Sequence, residues 1–219
     1  INNYYKESND KLLNKVVPVL IEGVSEKNED LCAGYTDTMK LVNVKASEEY
    51  IGNAIEGSRE NWILATKSMS RTYDGMMKDV EISLDNFKTE YIDLYQLHNV
   101  KFNEYDNIFD KDMAYEALLE CKRKGKIKNI GITSHSLDTI KKAVYSGKFD
   151  TIQFPYNIVE DQADEIFREA NKRNIGIIVM KPLAGGAITD ATLAIKYILS
   201  KGAEENEQKS IPYYSLLFR

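Results

Sequence analysis

The chain has 219 residues, 43% of them hydrophobic and 29% charged, a composition that suits one soluble globular domain with a real core. A formal charge of −5 argues against nucleic acid or an anionic membrane as the main partner, and no apolar stretch approaches membrane-spanning length. Two cysteines and two histidines cannot build a four-cysteine iron–sulfur site and offer no metal-ligand spacing, so we expect no metal site and two reduced thiols in a cytoplasmic protein.

In chain order, 16–21 reads as an initial strand, with Pro18 tolerable only at an edge, and 31–36 as a second one ending at Asp37. A helix is expected over 47–55, with Ser47 as its cap and Glu48 and Glu49 in its first turn. A β-rich run over 61–66 leads into Lys67. The next helix, 74–87, puts Met76, Met77, Val80, Leu84 and Phe87 on one face. A buried-type strand over 91–97 then runs into His98. The acidic stretch 106–112 reads as a solvated loop, and 112–123 as a helix with Ala114, Ala117, Leu118 and Cys121 at helical spacing, stopped by Gly125.

The pattern then repeats. Strands are expected over 127–132, 151–154 and 175–180, and helices over 137–145, 163–172 and 190–200, with Gly147 and Gly202 as stops. Beyond the last helix, 204–210 is polar and 211–219 is broken by Pro212, so no eighth strand is recognisable. Strand–helix units in this rhythm imply right-handed crossovers and a parallel sheet. The expectation is a single α/β domain over 1–219, a TIM (β/α)8-type barrel incomplete at its C-terminal end and irregular at its N-terminus. Residues 47–200 carry the reading. The missing initiator methionine and the abrupt end suggest a fragment.

In such a sheet Lys67, His98, Gln153 and Met180 meet at the carboxyl-terminal edge, where ligands bind in barrels and open α/β sheets. A lysine at a strand mouth is either a solvated surface group or a partly buried cation that binds an anion or acidifies a neighbour. A histidine there is either a hydrogen-bonded packing residue or a catalyst; the two together on neighbouring strands, roughly 4.8 Å apart, favour a shared pocket. Gln153 and Asn157 offer amides to a carboxamide, or simply structure their loop with Pro155. Gly185 and Gly186 let backbone amides approach a pyrophosphate, or make a turn. His135 and Ser136 belong either to the site or to the cap of the next helix.

Taken in order, Ser83-Leu84-Asp85-Asn86-Phe87, Asp93-Leu94-Tyr95-Gln96-Leu97-His98 and Gly125-Lys126-Ile127-Lys128-Asn129-Ile130-Gly131-Ile132 resemble the aldo-keto reductases. Gln153-Phe154-Pro155-Tyr156-Asn157 and Met180-Lys181-Pro182-Leu183-Ala184-Gly185-Gly186 resemble the branch often fused to a ferredoxin-like iron–sulfur domain. The resemblance implies an NAD(P)H-dependent oxidoreductase that passes hydride from NADPH to a small-molecule aldehyde or ketone, with Asp, Tyr, Lys and His as its catalytic set. Lys67 and His98 fall on the lysine and histidine. Ser134, Gln153 and Asn157 fall where the nicotinamide carboxamide is held, Met180 where many members stack an aromatic ring, and Pro182, Leu183, Gly185 and Gly186 on the loop over the pyrophosphate.

The aspartate and tyrosine depart from the pattern. Asp37, at the end of the 31–36 strand, suits the aspartate, but no tyrosine follows it at the family distance. Asp30 and Tyr35 have the right separation but would put a polar stretch where a buried strand belongs. We take Asp37 as the aspartate and Tyr35 as the general acid. The alternative function is a non-catalytic barrel of the same type that acts as a binding or regulatory module.

Overall fold

The computed structural model describes the backbone at residues 19–25, 28–36, 41–44, 48–203 and 215–216, and side chains over 48–201. The chain divides into two compact units, residues 1–45 with 219, and residues 46–218.

In the first unit, β1 (Val19–Ser25), β2 (Asn28–Thr36) and β3 (Leu41–Val44) form an antiparallel sheet in that order. Both expected N-terminal strands exist, but they pair with each other antiparallel, Leu20 opposite Tyr35 and Val24 opposite Cys32, rather than joining a parallel barrel sheet. The reason is the short link between them: parallel neighbours need a crossover of a dozen or more residues, and only two separate β1 from β2.

The second unit has the expected alternation. α1 (Glu48–Ile55) precedes β4 (Ala65–Ser68); α2 (Tyr73–Phe87) leads to β5 (Ile92–Leu97); α3 (Ala114–Arg123) leads to β6 (Ile127–Thr133). Then come α4 (Leu137–Ser146), β7 (Thr151–Pro155), α5 (Asp164–Lys172), β8 (Gly176–Met180), α6 (Ala191–Ala203) and β9 (Ser215–Leu216). The six strands are parallel and lie side by side in sequence order. That order is the one a β/α barrel requires; a doubly wound sheet would reverse direction part-way across.

Three expectations shift. β4 starts later than the 61–66 run, because Arg59–Asn61 turns as a 3-10 helix and the ladder begins only at Ala65. β9, which was not recognisable in the sequence, pairs Ser215 with Ile178 and Leu216 with Val179. A two-residue strand is too short to show alternation. The acidic 106–112 stretch is not wholly solvated, since Asn107–Phe109 turns and buries Ile108 among aromatic rings.

Several helix ends follow the sequence, but α6 runs through Gly202, its expected stop, to Ala203. Thr72 caps α2 by accepting from the Gly75 N–H, and Ser136 caps α4 by accepting from the Thr139 N–H. Gly147 takes the left-handed conformation after α4 at φ 66°. Ser47, the expected cap of α1, lies outside the described residues. α2 buries Met76, Val80, Leu84 and Phe87, as its periodicity predicts, each contributing on the order of 1.5–3 kcal/mol of burial.

Candidate active site

Alternation decides which side chains face the sheet's two sides. Thr66 donates from Oγ1 to Glu48 of α1 at 2.7 Å, and the Ser68 hydroxyl donates to Asp79 of α2. Both therefore face the helices, and Lys67 between them faces the opposite, inner side. In β5, Tyr95 lies on the helix side, hydrogen-bonded to Ser83 of α2, which places Gln96 inward. Gln96 indeed flanks the inner face of Gly131, where an added Cβ would lie 2.9 Å from its Cγ and 2.3 Å from Thr151 Oγ1.

The ladder continues past β5, with the His98 N–H donating to the Ser68 carbonyl at 2.9 Å. His98 thus shares the inward parity of Gln96. Lys67 and Gln96 are direct register partners on adjacent strands. The structure therefore brings the ends carrying Lys67 and His98 together on one face of one edge, each side chain partly exposed. Thr151 faces Gly131 from β7, so Gln153 is inward by alternation; Gly176 faces Thr151 from β8, so Met180 is inward as well. Further bonds lace this edge: Val100 N–H to Thr133 O at 2.9 Å, Ser134 N–H to Gln153 O at 3.2 Å, and Tyr156 N–H to Met180 O at 3.0 Å.

The amide residues differ in what they have left to offer. Gln153 is 2% exposed, and its Oε1 has no hydrogen-bond partner among the described residues. A buried acceptor left open costs roughly 1–3 kcal/mol; Gln96 Nε2 and Thr151 Oγ1, on the same face, are open in the same way among the described residues. Asn157 is fully committed: Nδ2 donates to Glu160 and to the Lys181 carbonyl, while Oδ1 accepts from the Val159 and Glu160 N–H groups. It ties the loop after β7 to the loop after β8. Ser134 donates its proton to the Val100 carbonyl at 2.6 Å and accepts from the Ser136 N–H.

The loop over 181–186 holds Lys181, Ala184, Gly185 and Gly186 at positive φ. Added Cβ atoms at Gly185 and Gly186 would meet nothing within 4 Å, so the backbone there is open to a close approach. Pro182 is buried beneath it and Leu183 is partly exposed. Asp190 accepts from the Leu193 N–H at 2.9 Å, so the positive start of α6 is already met by a carboxylate. That weakens the helix end as an anion site, and within the loop the N–H groups of Ala184 and Gly186 already donate to the Lys181 and Leu183 carbonyls, both at 2.9 Å.

Two tyrosines beside the strand ends are unsuited to give a proton. Burial pushes the Tyr95 phenol well above its usual range. Burial and then the hydrogen bond donated to Asp164 do the same to Tyr156, whose ring also stacks on Tyr197 at 6.2 Å. Tyr35 lies in β2, opposite Leu20 and Leu41, in the first unit. Asp37 lies outside the described residues. Sequence reasoning passed over Arg71 and Gln96, the first because loop arginines carry no periodic signal and the second because it reads as part of a strand.

The sequence profile of the aldo/keto reductase family matches residues 5–217. The chain belongs to the aldo/keto reductase family. Its fold class is accordingly the TIM (β/α)8 barrel, of which the described residues supply six parallel strands. It is 31% identical over 192 residues to Uncharacterized oxidoreductase YqkF of Bacillus subtilis, covering 82% of this chain and 60% of that one. It is 29% identical over 180 residues to the NADP(+)-named aldo-keto reductase yakc of Schizosaccharomyces pombe, covering 74% and 52%. The holo form of aldo-keto reductase AKR11C1 from Bacillus halodurans is 31% identical with a TM-score of 0.56, covering 64% of this chain and 47% of that one. The chain thus spans about half to three-fifths of the length of these relatives. Among the described residues no helix is long and apolar enough to cross a membrane.

Proposed function

We propose that this chain is an NADPH-dependent reductase of small aldehydes or ketones, working in the cytoplasm. The observation that carries the proposal is the inward placement of Lys67 and His98 at adjacent carboxyl-terminal strand ends in a member of this family. When bound, NADPH would supply the hydride. The residues present fit it: the open Oε1 of Gln153 suits a carboxamide N–H, and the exposed positive-φ glycines suit a pyrophosphate. The cofactor's presence in this site is supported further by the NADP(+) in the name of the yeast relative.

The protein's own share of the chemistry follows from charge. Reduction of a carbonyl leaves negative charge on its oxygen, which must be met by donors and then a proton. His98 would donate to that oxygen and orient it. Tyr35 is our general acid by the resemblance alone, and Lys67 takes the part of the family's lysine, a cation that favours tyrosinate and so eases proton release. Asp37 is our aspartate of the family's catalytic set. Ser134 and Gln153 would hold the carboxamide, Asn157 would shape the loop beside it, Met180 would pack on the nicotinamide face, and Pro182, Leu183, Gly185 and Gly186 would cover the pyrophosphate. We also assign the chain to the iron–sulfur-fused branch, on the motifs at 153–157 and 180–186.

The test is loss of NADPH absorbance in the presence of a panel of small aldehydes and ketones. Turnover is expected. NADPH binding with no turnover on any carbonyl would instead identify a binding module, and neither binding nor turnover would end the proposal.

A further inference from the structure

Arg71 lies in the loop after β4, and its guanidinium reaches both strand ends that carry the proposed catalytic pair. Nη2 donates to the carbonyl of His98 itself at 2.8 Å and to that of Asn99 at 3.4 Å. Nη1 donates to the carbonyl of Met69, two residues beyond Lys67, at 2.9 Å, and Nε donates to Glu104 at 3.2 Å. The Arg71 side chain is 20% exposed, so these bonds are shielded from full competition with water. Its own backbone is anchored too, the Ala114 N–H donating to the Arg71 carbonyl at 2.8 Å.

The segment Arg71 grips needs holding. Asn99 sits at φ 50°, in the left-handed region, so the chain kinks immediately after His98. On the β6 side the same kink is held by the Asn99 N–H donating to Thr133 Oγ1 at 2.7 Å and the Val100 N–H donating to the Thr133 carbonyl at 2.9 Å. Those bonds take the N–H groups, and Arg71 takes the carbonyls on the opposite side. A planar, five-donor guanidinium suits the task; a lysine ammonium would reach one carbonyl at a time.

We propose that Arg71 is a positioning residue for the reductase reaction, fixing the spacing and orientation of Lys67 and His98 by clamping the backbone carbonyls of both strand ends. Its guanidinium is taken up by backbone carbonyls and by Glu104. This inference rests on the reading of Lys67 and His98 as one site. A misplacement on the order of 1 Å costs a reaction up to about 10²-fold, so the loss belongs in the chemical step. The proposed cofactor contacts come from β7, β8 and the loops after β6, β7 and β8 and should be spared.

The test compares Arg71→Ala and Arg71→Lys with the wild-type chain. Expected for Arg71→Ala is a fall in kcat of about 10- to 100-fold with the KM for NADPH within about twofold of wild type, partly restored by millimolar guanidinium. Arg71→Lys should fall between. Nuclear magnetic resonance supplies a readout that needs no turnover, because the chain has only two histidines. The ring resonances of His98 should move in both variants while those of the exposed His135 stay. If the wild type turns over and Arg71→Lys, folded by circular dichroism, keeps full kcat with an unmoved His98 ring, the clamp is refuted. If the wild type shows no turnover, the reductase reading fails by itself, and the His98 resonances still decide whether Arg71 sets that ring.

Discussion

Asp93 secures the opposite end of the same strands. Its Oδ2 accepts from Arg59 Nη2 at 2.7 Å and from the Leu64 N–H at 3.0 Å, and its Oδ1 accepts from Lys128 Nζ at 2.9 Å. Arg59 and Lys128 also sit over the Tyr91 ring at 4.0 and 3.9 Å. Asp93→Asn keeps the shape but turns an acceptor into an N–H2 facing two cations. The Arg59 bond, between side chains 16% and 14% exposed, is worth about 2 kcal/mol, while the exposed Lys128 adds little. With weakening of the bond to Leu64 the loss comes to about 3 kcal/mol, or roughly 6–12 °C in Tm for a chain of this size. Burial works to raise the Asp93 carboxyl, but the bonds from Lys128, Leu64 and Arg59 outweigh it and hold it below its usual range. A depressed folded pKa gives stability that is present above the unfolded value of about 4 and lost as pH falls through the folded one. Melting curves followed by circular dichroism should therefore show a gap between wild type and variant that is full at neutral pH and narrows at acid pH. A gap below about 1 kcal/mol at neutral pH, or one that does not close in acid, would refute the reasoning.

Two further substitutions and labels probe the interior. Gly131→Ala would put a methyl 2.3 Å from Thr151 Oγ1 and should cost about 1–3 kcal/mol in Tm-derived stability, with Thr151→Ala in the same chain recovering part of it; additive losses would contradict the contact. Burial pushes the Cys121 thiol up to about 11, so peptide mapping after alkylation at mildly alkaline pH should find Cys121 unmodified until the chain is unfolded, and rapid labelling of the native chain would count against the packing.

Much of the second unit was legible because β5, β7 and β8 are largely buried on both faces and read as apolar runs, while α2 and α4 carry plain helical periodicity. Lys67 and His98 could be placed at one edge because a parallel order and a strand end fix position without side-chain detail. The antiparallel pairing of β1 with β2 was not legible, since a strand's own pattern is the same whichever way its neighbour runs. β9 was too short to show a pattern. Arg71 and Asn157 act through backbone carbonyls and amides brought together by the fold, and Asp93 through cations on two other segments. Residue identity alone does not announce such partners.

The most direct measurement is the turnover of Lys67→Met, His98→Gln and the double variant with NADPH and the best carbonyl substrate. If the two side chains serve one site, each single change should lower kcat by about 10²–10⁴-fold, and the double variant should be little worse than the poorer single one. Wild-type kcat in Lys67→Met, or losses that simply multiply in the double variant, would contradict a shared site.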